Sequence, residues 1–177
     1  MVKKKALFLD RDGVLNIPNI IKGKSYAPLK FKNFKLYPGV KKYCKILKKK
    51  YLLIVVTNQP DVKTGRLKIS ELDEMHKKLH KSISYDCLLY STALSKKSKF
   101  RKPNSGMLLK ANKIFKINFK KSYLIGDRWS DIEAGEKVGC KTIFIDRNYN
   151  EKKPIKFAFK AKSFTMASKY ILNDKNK

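Results

Sequence analysis

Five short apolar runs mark the chain: Ala6-Leu7-Phe8-Leu9, Leu52-Leu53-Ile54-Val55-Val56, Cys87-Leu88-Leu89-Tyr90, Tyr123-Leu124-Ile125 and Thr142-Ile143-Phe144-Ile145. None alternates with polar residues, which predicts strands buried on both faces. Between them the apolar positions fall at helical spacing. Val40, Tyr43, Cys44 and Leu47 follow Pro38-Gly39 at i, i+3, i+4 and i+7. Leu72, Met75, Leu79 and Ile83 form a second face, with Ser70 expected as N-cap and Asp73 completing a capping box. Met107, Leu108, Ala111, Ile114 and Phe115 form a third, with Asn104 expected as its cap. Residues 129–138 read as a short helix stopped by Gly139. In the tail, 161–164 is expected as an edge strand. Thr165 is expected to cap a last helix carrying Met166, Tyr170 and Ile171. Residues 14–37 hold Pro18, Gly23 and Pro28 and read as an irregular excursion over the first strand's end.

Strands alternating with helices predict an α/β fold. It is three-layered and Rossmann-like, with a central parallel sheet, right-handed crossovers and helices on both faces. The 177 residues suit one domain, 1–177, with a core at 5–147 and a strand and helix tail at 148–177.

Composition changes this picture in three places. Lys and Arg number 43 against 14 Asp and Glu, a net charge of +29, which raises nucleic acid or anionic membranes as partners. The lysines recur in every segment rather than forming a patch, so compositional bias is the favoured reading. No apolar run approaches a membrane span, and Asp10-Arg11-Asp12 cuts the apolar stretch after the basic start, so export is not expected. Cys44, Cys87 and Cys140 are isolated and odd in number, which predicts buried thiols in a reducing cytoplasm.

The chemistry gathers where the strands end. Asp10 and Asp12 follow the first strand, and Gly13 permits a sharp turn beside them. Thr57 and Asn58 follow the second strand, Lys102 lies in the loop after the third, and Asp127 and Asp131 follow the fourth. In a parallel sheet these positions share one edge, where ligands bind. Carboxylates there suit magnesium, and a hydroxyl, an amide and an ammonium suit phosphate oxygens. No P-loop pattern is present. A carboxylate at that edge can attack phosphorus, and a second can move the proton. Asp10 is the natural nucleophile and Asp12 the natural acid/base, with Thr57 and Lys102 steadying the phosphoryl oxygens.

Asp10-Arg11-Asp12-Gly13, Thr57-Asn58, Lys102 and Gly126-Asp127-x-x-x-Asp131 resemble, in order and spacing, the four motifs of the haloacid dehalogenase (HAD) superfamily of phosphatases. Residues 8–16, Thr57-Asn58-Gln59 and Arg101-Lys102-Pro103 narrow the likeness to cap-less members acting on heptose bisphosphate or histidinol phosphate. The resemblance spans residues 6–146. It implies magnesium held by Asp10, the main-chain carbonyl of Asp12 and Asp127, with Asp131 in support. It also implies an aspartyl-phosphate on Asp10, and Arg101 touching the substrate beyond its phosphate. Heptose 1,7-bisphosphate is the expected substrate, in the making of surface polysaccharide. Histidinol phosphate, a nucleic-acid 3′-phosphate and a catalytically silent binding protein are the alternatives. A monomer is implied by the same likeness.

Two departures stand out. Residues 90–100 carry neither Cys nor His, so the zinc loop of many relatives is not expected here. Gln59-Pro60-Asp61 replaces the Gln-Ser-Gly of many heptose enzymes. Among the remaining candidates, His76 and His80 are expected on a solvated or half-buried helix far from the strand ends, without zinc. Trp129 is expected as a core anchor, Asp146 as a turn residue, and Lys41, Lys42 and Lys48-Lys49-Lys50 as a solvated face. Arg66 and Arg128 stay undecided between substrate binding and carboxylate pairing.

Overall fold

The computed structural model describes residues 3–174; the expected domain's ends, 1–2 and 175–177, lie outside the described residues. The main sheet holds β1 (Ala6–Leu9), β4 (Leu52–Asn58), β5 (Cys87–Ser91), β6 (Tyr123–Gly126), β7 (Lys141–Ile145) and β8 (Phe159–Ala161). Their order is β5-β4-β1-β6-β7-β8, and every pairing is parallel. Leu7 sits opposite Leu53 on one side and Tyr123 on the other.

Strand alternation divides the core in two. Leu7, Leu9, Leu53, Val55 and Ile125 face a layer built from α1 (Val40–Leu47), α3 (Ile69–Ile83) and α6 (Phe164–Asn173). Ala6, Phe8, Ile54, Val56 and Leu124 face the opposite way, onto Met107, Leu108 and Ala111 of α4 (Gly106–Phe115) and Ala134 of α5 (Trp129–Glu136). Both faces of β1 and β4 are therefore dry, which explains why these strands read as unbroken apolar runs. Truncating a residue such as Leu53 to Ala removes packing on one face at a cost of about 2–5 kcal/mol.

The chain runs outward from β1 to β4 and β5, then returns to the other side of β1 with β6. The direction of winding reverses at β1, and the strand ends open a crevice at that point. The excursion over this crevice is more ordered than expected. It contains an antiparallel hairpin, β2 (Asn19–Ile21) with β3 (Lys24–Tyr26), and a 3-10 turn at Phe31–Asn33. A short helix, α2 (Pro60–Lys63), follows β4.

Several local expectations are corrected. The second helix begins at Ile69, with Lys68 at the N-cap and no side-chain cap, so Ser70 lies inside it. Asn104 does not cap α4; Ser105 holds that position. The Asn104 carboxamide instead donates to the carbonyls of Lys96 (2.8 Å) and Ser98 (2.9 Å), pinning the basic loop. The edge strand is Phe159–Ala161, and Ser163 rather than Thr165 caps the last helix by accepting from Met166 N at 3.1 Å. In each case a neighbouring side chain, or none, satisfies the free amides of the first turn; the apolar period does not distinguish these registers. Ile114 and Met166 are exposed, and Cys87 is only half-buried, whereas Cys44 and Cys140 are buried. Trp129 opens α5 half-buried, with Lys152 Nζ 4.7 Å from its ring, rather than anchoring the core. Among the described residues, no helix is long and apolar enough to cross a membrane.

Candidate active site

β1 ends at Leu9, which delivers Asp10 to the crevice; β6 ends at Gly126, which delivers Asp127 beside it. The Asp10 amide donates to Ile125 O at 3.0 Å, so the two strand ends are locked together. Asp131, in the first turn of α5, accepts from the Arg128 amide at 3.0 Å. Carboxylate oxygens of Asp10, Asp127 and Asp131 all lie within 4.8 Å of one another, and all three residues are buried. Two glycines permit this approach. A Cβ at Gly126 would lie 2.1 Å from the Asp131 Cβ, and one at Gly13 would lie 1.8 Å from Asp127 Oδ2. Gly13 also holds φ at +86°, where side chains are strained.

Lys102 crosses from the loop after β5 into this cluster. Its Nζ lies 2.7 Å from Asp10 Oδ1 and 2.6 Å from Asp131 Oδ1, and donates to Val56 O at 2.8 Å. Asn58 sets the Lys102 backbone: its Nδ2 donates to Lys102 O, and its Oδ1 accepts from Lys102 N, each at 3.1 Å. One ammonium faces three carboxylates, so the pocket carries a surplus of negative charge that burial makes costly. Burial raises the Asp10 pKa to about 6, against the opposing pull of Lys102. Asp127 is pushed well above the usual carboxylate range, by burial first and then by Asp10 and Asp131. Neither oxygen of Asp127 has a hydrogen-bond partner in good geometry, and the nearby Tyr149 hydroxyl lowers its pKa only as the smallest of the influences on it. A buried carboxylate beside two others is the donor set of a hard cation, and Asp10, Asp127 and Asp131 are the residues able to hold one.

Asp12 belongs to a separate network. Arg11, wholly buried, donates through Nη2 to Asp12 Oδ1 (3.0 Å) and Oδ2 (2.9 Å). Asn16 Nδ2 donates to Oδ1 at 2.9 Å, and Gln59 Nε2 donates to Oδ2 at 2.7 Å and to Thr57 Oγ1 at 3.1 Å. Arg11 also donates to His76 Nε2 at 3.2 Å, since a guanidinium has no acceptor. His76 is therefore buried against this network, which corrects the expectation of a solvated or half-buried position far from the strand ends. His80 lies one turn on and meets Tyr85 edge-on.

These elements enclose a cavity of about 260 Å³ lined by Asp10, Asp12, Thr57, Lys102, Asp131 and Asn58. Arg101, Arg128, Asp61, the β3 residues Ser25 and Tyr26, and Ala27 just after it also line its wall. Every site residue read from the sequence thus lies at this crevice, with Asp127 beneath Gly13. Arg101 is partly tied down, its Nη1 donating to Ala93 O at 2.6 Å. Arg66 pairs with Asp61 at 3.4 Å. Asp146 is a turn residue: it accepts from Asn148 N, and with Lys160 and Lys153 its pKa falls to about 2 although burial opposes this. Sequence reasoning missed the Arg11–His76 contact, Asn16, Gln59 as a holder of Asp12, and Glu151, which pairs with Arg128 at 2.7 Å. Asn16 and Gln59 carried a signal, since both lie in the stretches that narrow the family likeness.

The chain compares closely with known proteins. A HAD-hydrolase-like family model matches residues 99–168. The D-glycero-alpha-D-manno-heptose-1,7-bisphosphate 7-phosphatase of Campylobacter jejuni is 36% identical over 149 residues, covering 81% of this chain and 83% of that protein. The D-glycero-beta-D-manno-heptose-1,7-bisphosphate 7-phosphatase of Haemophilus ducreyi is 33% identical over 158 residues, covering 81% and 84%. Among solved structures, the D,D-heptose 1,7-bisphosphate phosphatase of B. bronchiseptica, complexed with magnesium and phosphate, superposes with a TM-score of 0.81. It does so at 19% identity over 96% of this chain and 99% of that one. Sheet order, strand-end carboxylates and these likenesses agree, and the chain belongs to the haloacid dehalogenase superfamily of phosphatases.

Proposed function

We propose that this phosphatase hydrolyses one phosphomonoester of a D-glycero-D-manno-heptose 1,7-bisphosphate, with magnesium, through an aspartyl-phosphate on Asp10. The observation that carries the chemistry is the cluster of Asp10, Asp127 and Asp131 around Lys102, opening on a cavity of small-molecule size. The relatives that share about a third of its residues are named for the heptose substrate.

The residues divide the work. Lys102 anchors one oxygen of Asp10, which leaves the other to attack phosphorus. As the Asp10 O–P bond forms, the bond from phosphorus to the sugar oxygen breaks, and Asp12 supplies the proton to that oxygen. Asp12 then takes a proton from water, whose oxygen attacks phosphorus and breaks the Asp10 O–P bond. Phosphate leaves and Asp10 is restored. Thr57 and Lys102 hold the phosphoryl oxygens, and Asn58 keeps Lys102 in place while bordering the substrate. Asp10, Asp127 and Asp131, with the Asp12 main-chain carbonyl, would hold magnesium, which when bound offsets the charge between carboxylate and phosphate. Arg101 and Arg128 border the space left for the sugar. Three free thiols, two of them buried, support a reducing, cytoplasmic setting, and a monomer is the simplest state for a site built from one chain.

A phosphate-release panel with magnesium tests this reading. Both anomers of heptose 1,7-bisphosphate, histidinol phosphate and a 3′-phosphorylated oligonucleotide form the arms. Preference for a heptose bisphosphate supports the proposal; preference for either other arm replaces it.

A further inference from the structure

The hairpin β2–β3 supplies Ser25 and Tyr26 to the cavity wall, yet it is poorly supported by its own structure. Its strands are three residues each and β2 is exposed throughout. A hairpin of that size is marginal alone, so its position depends on outside contacts. The chain after β7 provides them. Asn150 N donates to Gly23 O at 2.8 Å, and Gly23, at φ +74°, leaves room for the Asn150 side chain. Glu151 Oε1 then accepts from Ser25 N at 3.1 Å and from Arg128 Nη2 at 2.7 Å. Arg128 Nη2 also donates to Ser25 O at 2.7 Å, which closes the ring. Glu151 Oε1 and Arg128 Nη2 together thus hold the N–H and the carbonyl of a single hairpin residue. Glu151 does not line the cavity, whereas Ser25 and Arg128 do.

We propose that Glu151 is a positioning residue for leaving-group specificity. It fixes Ser25 and Arg128 as the wall that receives the substrate beyond the phosphate being transferred. It touches no reacting atom and leaves Asp10, Asp12 and Lys102 untouched. The inference rests on the sugar-phosphate reading above. It also accounts for Arg128: its Nη2 is committed to both Glu151 and Ser25, so that it stands in one pose at the cavity edge.

The test is Glu151→Ala beside Glu151→Gln, which keeps an acceptor oxygen. Steady-state kinetics are measured on heptose 1,7-bisphosphate and on p-nitrophenyl phosphate, whose flat leaving group makes no use of a wall shaped for a polyol. Glu151→Ala should raise KM for the sugar about tenfold or more, with kcat changed less, and lower the sugar-to-aryl ratio of kcat/KM by a similar factor. Glu151→Gln should restore most of that ratio. Amide exchange should show lost protection of the Ser25 amide in Glu151→Ala while β1 and β6 stay protected. Equal losses on both substrates, or no loss on the sugar, would overturn the proposal. So would unchanged protection of Ser25, which decides the clamp even if the wild type hydrolyses no sugar phosphate; that last outcome overturns the substrate reading alone.

Discussion

Gly13 lies against Asp127 so closely that a Cβ on the glycine would sit 1.8 Å from the carboxylate Oδ2. The turn after β1 and the carboxylate after β6 are therefore built as one unit. Gly13→Ala adds the clash to the strain of a positive φ, which alone costs about 1–3 kcal/mol. The variant should lose turnover by about a hundredfold or more, with weakened magnesium binding by calorimetry. Near-normal magnesium affinity in a folded Gly13→Ala would refute this coupling.

Lys102 is the one cation in direct contact with Asp10 and Asp131 among the described residues. Lys102→Met leaves buried carboxylates uncompensated, a change that costs about 3–5 kcal/mol in buried pairs. Thermal melts without metal should show a large drop, part of it recovered on adding magnesium. Turnover should fall by about 10²–10³ at saturating magnesium. A variant as stable as the wild type in metal-free buffer would show that the carboxylate surplus is relieved in some other way.

Magnesium should stabilise the wild type by an amount that grows with its concentration, about 2.7 kcal/mol at a hundred times Kd. Asp127→Asn alters a proposed ligand that sits buried between Asp10 and Asp131, so its melting temperature should not respond to magnesium. An unchanged magnesium-dependent shift in that variant would remove Asp127 from the metal site.

His76 is held neutral, its pKa lowered to about 4 by burial and then by Arg11. Its unfolded value is about 6.5. Between these limits the unfolded chain binds the proton and the folded chain does not, so His76 makes stability fall as pH drops from about 6.5 to 4. The full span corresponds to about 3–4 kcal/mol. Comparing wild type with His76→Gln isolates this from the carboxylates, and the difference in unfolding free energy should shrink in the wild type's disfavour as pH falls. A difference independent of pH would mean that His76 is charged in the fold or accessible to water.

Residues tied to strand ends were legible in the sequence, because a parallel sheet brings all its carboxyl ends to one edge. Asp10, Thr57, Lys102 and Asp127 needed only the strands and their order. Asp131 followed from its place four residues beyond Asp127. What sequence did not reveal was held by contacts distant in the chain. The Arg11–His76 contact spans 65 residues, and Glu151 meets Ser25 across 126. No local period encodes such pairs. Caps were misplaced for a different reason: Ser70, Asn104 and Thr165 are suitable residue types one or two positions from the true boundaries, and hydrophobic spacing does not fix a boundary that finely. Trp129 is expected as a core anchor beginning the helix, but its position at the start of α5 leaves it half-buried, with Lys152 Nζ 4.7 Å from its ring.

The central claim is that Asp10 carries the phosphoryl group. Phosphate release from heptose 1,7-bisphosphate with magnesium, compared between wild type and Asp10→Asn, tests it most directly. The exchange of one oxygen for an amide removes the nucleophile and leaves the side chain's shape. The wild type should release one phosphate per sugar, and Asp10→Asn should release none above background while melting as a folded protein. Sustained turnover by Asp10→Asn would contradict the account.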